Sequence, residues 1–425
     1  MPGSRTAAPA TRSSDMRILL ASSASHVPPR GGSTRSNLAW LDALTSHGHD
    51  CRIVGGALTA GTAERQAELR RETEDQDAGR TIPEILAVAD PVKRAAALKE
   101  QIRDFQPDWV LVSSEDIGQA LLRAAHETAA GRVVYLAHTP QFYPFGPASW
   151  SSDRDGTESV ANCAAIIAIG HHTADYVAMH LGRRAEVIHP PIYGPGPFPQ
   201  YGSGERITMI NPSAVKGISI FLRLARNFPE HPFAVLPGWG TTAADRRALE
   251  ALANITVLRY CRRIDEVLAG TRVLLMPSLW FEGFGLIVVE AMLRGIPVVA
   301  SDAGGLVEAK LGTRFVIAVR PIAKYDAVFD DQGLPRPVVP EQNLVLWVEV
   351  LKQLLGDRAV HEGESAAARE AATQFVSALR PSQLEEFLLK LQPARPAALK
   401  PDPLSGLSPE RRALLLQRLR ARPAK

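Results

Sequence analysis

PSLWFEGFGLIVVEAMLRGIPVVASDAGGLVE, residues Pro277–Glu308, decides the fold. The apolar run RVLLM before it reads as a buried parallel strand. SLWFEGFG is a loop and LIVVEAML a helix, closed by Gly295 with Pro297 two residues on, a well-marked helix end. PVVAS reads as a second buried strand, and DAGGLVE turns into another helix. Strand, loop, helix, strand, loop, helix is half of a doubly wound α/β domain. Glu282 and Glu290 stand at the two ends of the first loop–helix unit, roughly 12 Å apart if the span between them is helical. Between them Gly283 and Gly285 permit close backbone approach to a ligand, with Phe284 and Leu286 alongside, and the helix N-terminus offers unpaired N–H groups to an anion. A diphosphate held there would set a sugar at one carboxylate and a ribose at the other, the shape of a nucleotide sugar.

The E-x7-E of EGFGLIVVEAM, followed by G-x-P-V-V-A-S-x-x-G-G-x-x-E, runs over about thirty positions in order. It resembles the donor-site signature of the retaining glycosyltransferases of family 4 (glycosyl transferases group 1). That resemblance implies the GT-B fold: α/β, two Rossmann-like doubly wound domains facing a cleft. It also implies a retaining hexosyltransferase (EC 2.4) that moves sugar from a UDP-, GDP- or ADP-sugar co-substrate to a hydroxyl acceptor, with no metal and no other cofactor. Two rival readings remain: a nucleotide-sugar 2-epimerase on the same fold, and a non-catalytic nucleotide-sugar-binding partner of a larger assembly.

The chain has 425 residues, enough for two or three domains, and 45% hydrophobic residues, enough for globular cores. A formal charge of +3 is too small to argue for nucleic acid. Cys51, Cys163 and Cys261 are odd in number and widely spaced, which disfavours a disulfide framework or zinc site and favours a reducing compartment. MPGSRTAAPATRSSD lacks the apolar core of a signal peptide, and no window spans a bilayer, so a cytoplasmic location is expected.

MRILLASS, from Met16, is a first strand, followed by a loop carrying Gly31 and Gly32 and then an amphipathic helix. A Gly-Gly turn in that place permits close approach to phosphate, and is similar to the opening of GT-B glycosyltransferases. Residues 62–104 read as two surface helices on the acceptor side. His138 ends the strand RVVYLAHTP, where open α/β sheets bind ligands; by the resemblance it lies near the reacting sugar. QFYPFGPASWSSD carries four aromatics and is a candidate acceptor wall or, equally, a packed loop. His171 and His172 are adjacent and so diverge, a poor metal pair. Asp153-Arg154-Asp155 mimics a metal-binding DxD but lies in a polar loop of the wrong architecture.

HPPIYGPGPFPQYGSG, from His189, has the composition of an interdomain linker. Beyond it Lys216-Gly217 matches the family's K-G, whose lysine meets the donor diphosphate. The family usually has an arginine five residues earlier, where this chain has Asn211, so one cation of the phosphate clamp is missing and Arg262 or Arg263 is the candidate substitute. By the resemblance Glu282 faces the cationic sugar and Glu290 the ribose. A helix begins near Pro340, and the helices of 366–392 are expected to brace the first domain.

The expected organisation is a disordered leader over 1–15, an acceptor domain over 16–190, a linker over 191–204, a donor domain over 205–365, the bracing helices, and a separate tail over 393–425. In that tail eight Lys/Arg stand against two Asp/Glu, a local charge of +6. LSPERRALLLQRLRAR is a short basic helix with Ser408 as its cap and Pro409 in its first turn. It resembles the linker preceding condensation domains in nonribosomal peptide synthetases. That implies docking through 407–422 to a synthetase or carrier protein, and a peptide or polyketide acceptor beside the small-molecule and glycan alternatives.

Overall fold

The computed structural model describes residues 15–57, 84–201, 204–259, 261 and 263–391. Residues 1–14 of the leader, 62–83 of the stretch read as surface helices, 202–203 of the linker, Arg262 and the whole tail with its docking segment 407–422 lie outside the described residues.

The first half alternates β1 (Arg17–Ser25), α1 (Gly32–Ser46), β2 (Asp50–Gly56), β3 (Glu84–Ala87), α2 (Pro91–Phe105), β4 (Trp109–Ser113), α3 (Ala120–Ala129), β5 (Val133–Ala137), α4 (Arg154–Ala161), β6 (Ala165–Ala168), α5 (His171–Leu181) and β7 (Glu186–Val187). Its seven strands form one parallel sheet in the order β3-β2-β1-β4-β5-β6-β7. The second half repeats the plan with β8 (Arg206–Ile210), α6 (Ile218–Asn227), β9 (Phe233–Leu236), α7 (Ala243–Glu250), β10 (Ile255–Val257), α8 (Asp265–Leu268), β11 (Thr271–Met276), α9 (Leu286–Leu293), β12 (Val298–Ser301), α10 (Leu306–Ala309) and β13 (Val316–Ile317). Its sheet is again parallel, in the order β10-β9-β8-β11-β12-β13. Each order reverses once, between β1 and β4 and between β8 and β11, and ligands of open α/β sheets bind outside the strand ends at such a reversal. The expected pair of doubly wound domains is the architecture observed.

The strands read as apolar runs because both faces are covered: β4, β5, β6 and β12 are buried at every position. In α9 every residue but Ile287 is buried. Its apolar side chains share one cluster with Ala368 and Ala372 of α12 (Arg358–Ala378). A helix apolar all round belongs inside, and here a second helix covers the face turned away from the sheet.

Three sequence expectations change. Residues 84–104 make strand β3 and helix α2, not two surface helices; EILA pairs with β2 at the sheet edge and is too short for its periodicity to show. The helix expected near Pro340 starts at Val345 (α11, Val345–Gly356), after an antiparallel hairpin of β14 (Tyr325–Phe329) and β15 (Pro335–Pro337). Of residues 366–392, those in α12 pack on the second domain. The first domain is met by Phe375 of α12, whose ring lies 5.1 Å from that of His189, and by α13 (Gln383–Lys390), where Leu384 and Leu388 join Trp40 and Leu41 of α1. The Pro-rich linker is laid down on the second domain: Tyr201 N donates to Arg294 O at 2.9 Å, and Arg369 donates to the carbonyls of Phe198 and Pro199. All three cysteines are free, and among the described residues no helix is long and apolar enough to cross a membrane.

Candidate active site

The loops that leave the two reversal points face each other. From the first domain come the Gly31–Gly32 turn after β1 and His138 after β5; from the second come Lys216 after β8 and the loop 277–285 after β11. A Cβ on Gly31 would lie 3.2 Å from the Trp239 ring, and one on Gly32 would lie 3.5 Å from Leu286. The first turns of α1 and α9, each with N–H groups that lack partners inside their helix, therefore stand opposite one another across the cleft.

Glu282 is held by its own domain. Lys216 Nζ donates to both carboxylate oxygens, at 2.6 and 2.8 Å, and Ser278 Oγ donates to Oε1. Both side chains of the pair are largely buried, and the ammonium sits 4.6 Å from the Trp280 ring centre. Glu290 is held from across the cleft: Arg35, on α1, places Nη2 2.6 Å from Oε1. The Glu290 carboxylate raises the Arg35 pKa still further above its ordinary value.

His138 is buried beneath the turn. Its Nε2–H donates to Asn37 Oδ1 at 2.9 Å, which leaves Nδ1 as a buried acceptor without a hydrogen bond. Burial, aided by the nearby His26, lowers its pKa to about 3, so the ring is neutral at ordinary pH. Its carbonyl lies 2.0 Å from where a Cβ of Gly283 would be. Gly283 is therefore a contact between domains, and the expected approach of its backbone to a ligand is replaced by approach to His138. At Gly285, φ is +115° and a Cβ would meet Leu306 at 2.7 Å, so glycine is required there to start α9 against α10. Phe284 is likewise a packing residue, stacked on Phe375 at 5.7 Å.

Two further candidates leave the site. Asn211 has φ +56°, and its Oδ1 accepts from Gly240 N at 3.1 Å. It is a left-handed turn residue that holds the loop 238–240 and hence Trp239 over Gly31, a job its short amide does and a long arginine would not. Arg263 is exposed and faces Glu266 at 3.9 Å, a solvated residue ahead of α8. The aromatic loop divides: Tyr143 and Phe145 are core, whereas Trp150 faces Trp280 at 5.9 Å and Tyr325 at 5.6 Å across the domains. Asp153 caps α4, accepting from Gly156 N at 2.8 Å, so the DxD mimic is a helix start.

Sequence reasoning missed Arg35 and Glu115. Arg35 lies one helical turn beyond the Gly-Gly pair, and that spacing is its signal. Glu115, after β4, accepts from Ser33 Oγ, is partly buried, and has its pKa raised chiefly by desolvation; nothing in the local sequence marks it.

Two family models match in tandem. The model for Glycosyltransferase Family 4 takes in residues 30–193, and that for Glycosyl transferases group 1 takes in residues 208–327. Each half of the chain is thus a glycosyltransferase domain by its family model, and the two together have the GT-B fold. Among solved structures of the same fold, Anabaena HepE in complex with UDP-glucose is 17% identical. Its TM-score is 0.62, over 88% of this chain and 100% of that one. Sucrose-phosphate synthase from Thermosynechococcus elongatus is 14% identical, with a TM-score of 0.64 over 88% and 99%. At such identities the likeness is one of fold. A D-inositol 3-phosphate glycosyltransferase of Corynebacterium diphtheriae is 33% identical over 154 residues, 34% of this chain and 31% of that protein. The chain thus matches less than a third of the length of its curated relatives.

Proposed function

We propose that this GT-B protein transfers a hexose-type sugar from a nucleoside diphosphate sugar to a hydroxyl acceptor, with retention of configuration. The observation that carries the reading is the convergence of two helix N-termini and two carboxylate–cation pairs on one cleft, at the reversal points of both sheets. The leaving diphosphate sits between the first turns of α1 and α9, with Lys216 and Arg35 supplying the positive charge, so the reading requires no metal. Glu282, released from Lys216 as the lysine turns to phosphate, stabilises the sugar as it becomes cationic. Glu290 holds the ribose hydroxyls, and Nδ1 of His138 accepts from a hydroxyl of the sugar or acceptor. In retention the acceptor attacks from the leaving group's face, and a diphosphate oxygen takes its proton.

The name of HepE's ligand supports UDP-glucose as the first donor to try, and the names of the matched relatives support a phosphorylated polyol as the first acceptor. A peptide or polyketide acceptor rests on the sequence of the tail alone. No observation of the structure favours the epimerase, and the non-catalytic reading loses one support now that Asn211 has a structural task. Thermal shift against UDP-, GDP- and ADP-sugars without metal tests the donor site. One nucleotide at a hundred times its Kd should add about 2.7 kcal/mol of stability. Silence across the panel, together with no release of nucleotide from any donor, would sink the reading.

A further inference from the structure

At the seam between the domains, three possible metal ligands meet that the proposed transfer does not use. His171 opens α5, His189 follows β7, and Glu308 lies on α10 of the second domain. One ligand atom of each lies within 4.8 Å of the others. Glu308 is anchored from the first domain, since Oε2 accepts from His172 N at 3.3 Å, while Oε1 is buried without a hydrogen bond, 3.5 Å from His189 Nε2. His189 is fixed in plane by Phe284 and Phe375, at 4.9 and 5.1 Å. His171 is exposed and lines an open cavity of about 520 Å³ together with Asp175 and Arg183. The adjacent His172 does not diverge from the cluster as its sequence position suggests: its Nδ1 stands 3.5 Å from Glu308 Oε2 and has no hydrogen bond.

We propose that His171, His189 and Glu308 bind a divalent transition-metal ion of the zinc class, tying the first domain to the second. Two imidazole nitrogens and one carboxylate form a donor set for zinc and its neighbours and a poor one for magnesium, which demands oxygen. His172, whose Nδ1 stands 3.5 Å from Glu308 Oε2, or a water takes the fourth position. The positive end of α5 opposes a cation, and Glu308 offsets it by accepting from the helix's own N–H. Ligand atoms around tetrahedral zinc stand about 3.4 Å apart, so the exposed His171 ring swings inward on binding. The bound ion fixes the angle between the domains and takes no part in sugar transfer.

The test uses the full chain, stripped with a chelator, then titrated with Zn²⁺ while Tm is followed and with Co²⁺ while visible absorption is followed. One equivalent should saturate both signals. His171→Ala and Glu308→Gln should each weaken binding at least about tenfold. Should Glu308→Gln fail to fold through loss of its contact with α5, His171→Ala, on an exposed ring, carries the test. No saturable binding, or binding unchanged in His171→Ala, overturns the site and leaves a histidine–carboxylate contact only.

Discussion

Glu282 and Glu290 belong to the same loop–helix unit, yet they find their cations in different places. Lys216 reaches Glu282 from within the second domain, whereas Arg35 reaches Glu290 from the first. The first pair is complete whether the cleft is open or shut. The second exists only while the domains are together, so it reports on closure and adds to it. Half of the site is therefore built by the fold of one domain, and half by the docking of two.

The largest effect is expected at the intradomain pair. Removing Glu282 as alanine leaves Lys216 buried without its counter-charge, which costs about 3–5 kcal/mol of stability and confuses catalysis with folding. Glu282→Gln keeps the shape and an acceptor for Nζ. It should lower turnover by about 10²–10³-fold while circular dichroism and the unfolding midpoint stay near those of the parent. Turnover within a few-fold of the parent would remove Glu282 from the chemistry.

Arg35→Ala addresses the pair across the cleft and should act more mildly. Loss of roughly 1.4 kcal/mol of closure raises the donor KM about tenfold, loss of one cation at the leaving diphosphate lowers kcat as well, and the radius of gyration of the unliganded protein rises in small-angle scattering. A fall in KM instead would show that Arg35 competes with the ribose for Glu290, and the two pairs would then be opposed in function as well as in origin.

What the sequence disclosed, and what it hid, divides along the same line. Both Rossmann sheets were legible because their central strands, such as β4, β5, β6 and β12, are buried on both faces and read as continuous apolar runs. Glu282, Glu290 and Lys216 were legible because their spacing lies within single loop–helix units. Arg35 and Glu115 were not, since their meaning comes from partners far along the chain. Asn211 was read as a gap in a phosphate clamp; its positive φ and its bond to Gly240, invisible in one dimension, make it a turn residue. Gly283 and Gly285 read in sequence as places where a ligand comes close; the groups found close to them are His138 and Leu306.

The smallest effect concerns His138, which both the sequence and the structure bring to the cleft. Its pKa falls from an ordinary 6.5 to about 3 on folding, because burial excludes the charged ring and His26 adds repulsion. Between those values the unfolded chain binds a proton that the native protein refuses, so this residue's contribution to stability falls as pH drops from 6.5 toward 3. Asp116 works in the opposite direction. Burial raises its carboxyl to about 6, so its protonation favours the native state as pH falls, and the two slopes partly cancel in the parent protein. The comparison must therefore be a difference: parent minus His138→Gln, each unfolded by urea at pH 6.5 down to 4. The difference should decline with falling pH by at most about 1.4 kcal/mol per pH unit. A flat difference would mean that the ring titrates as freely in the native protein as in the unfolded one. Activity gives an independent reading, since a neutral ring predicts no kcat limb from His138 near pH 6.5. A limb there that vanishes in His138→Gln would put an imidazolium in the cleft and make His138 a proton donor instead of an acceptor.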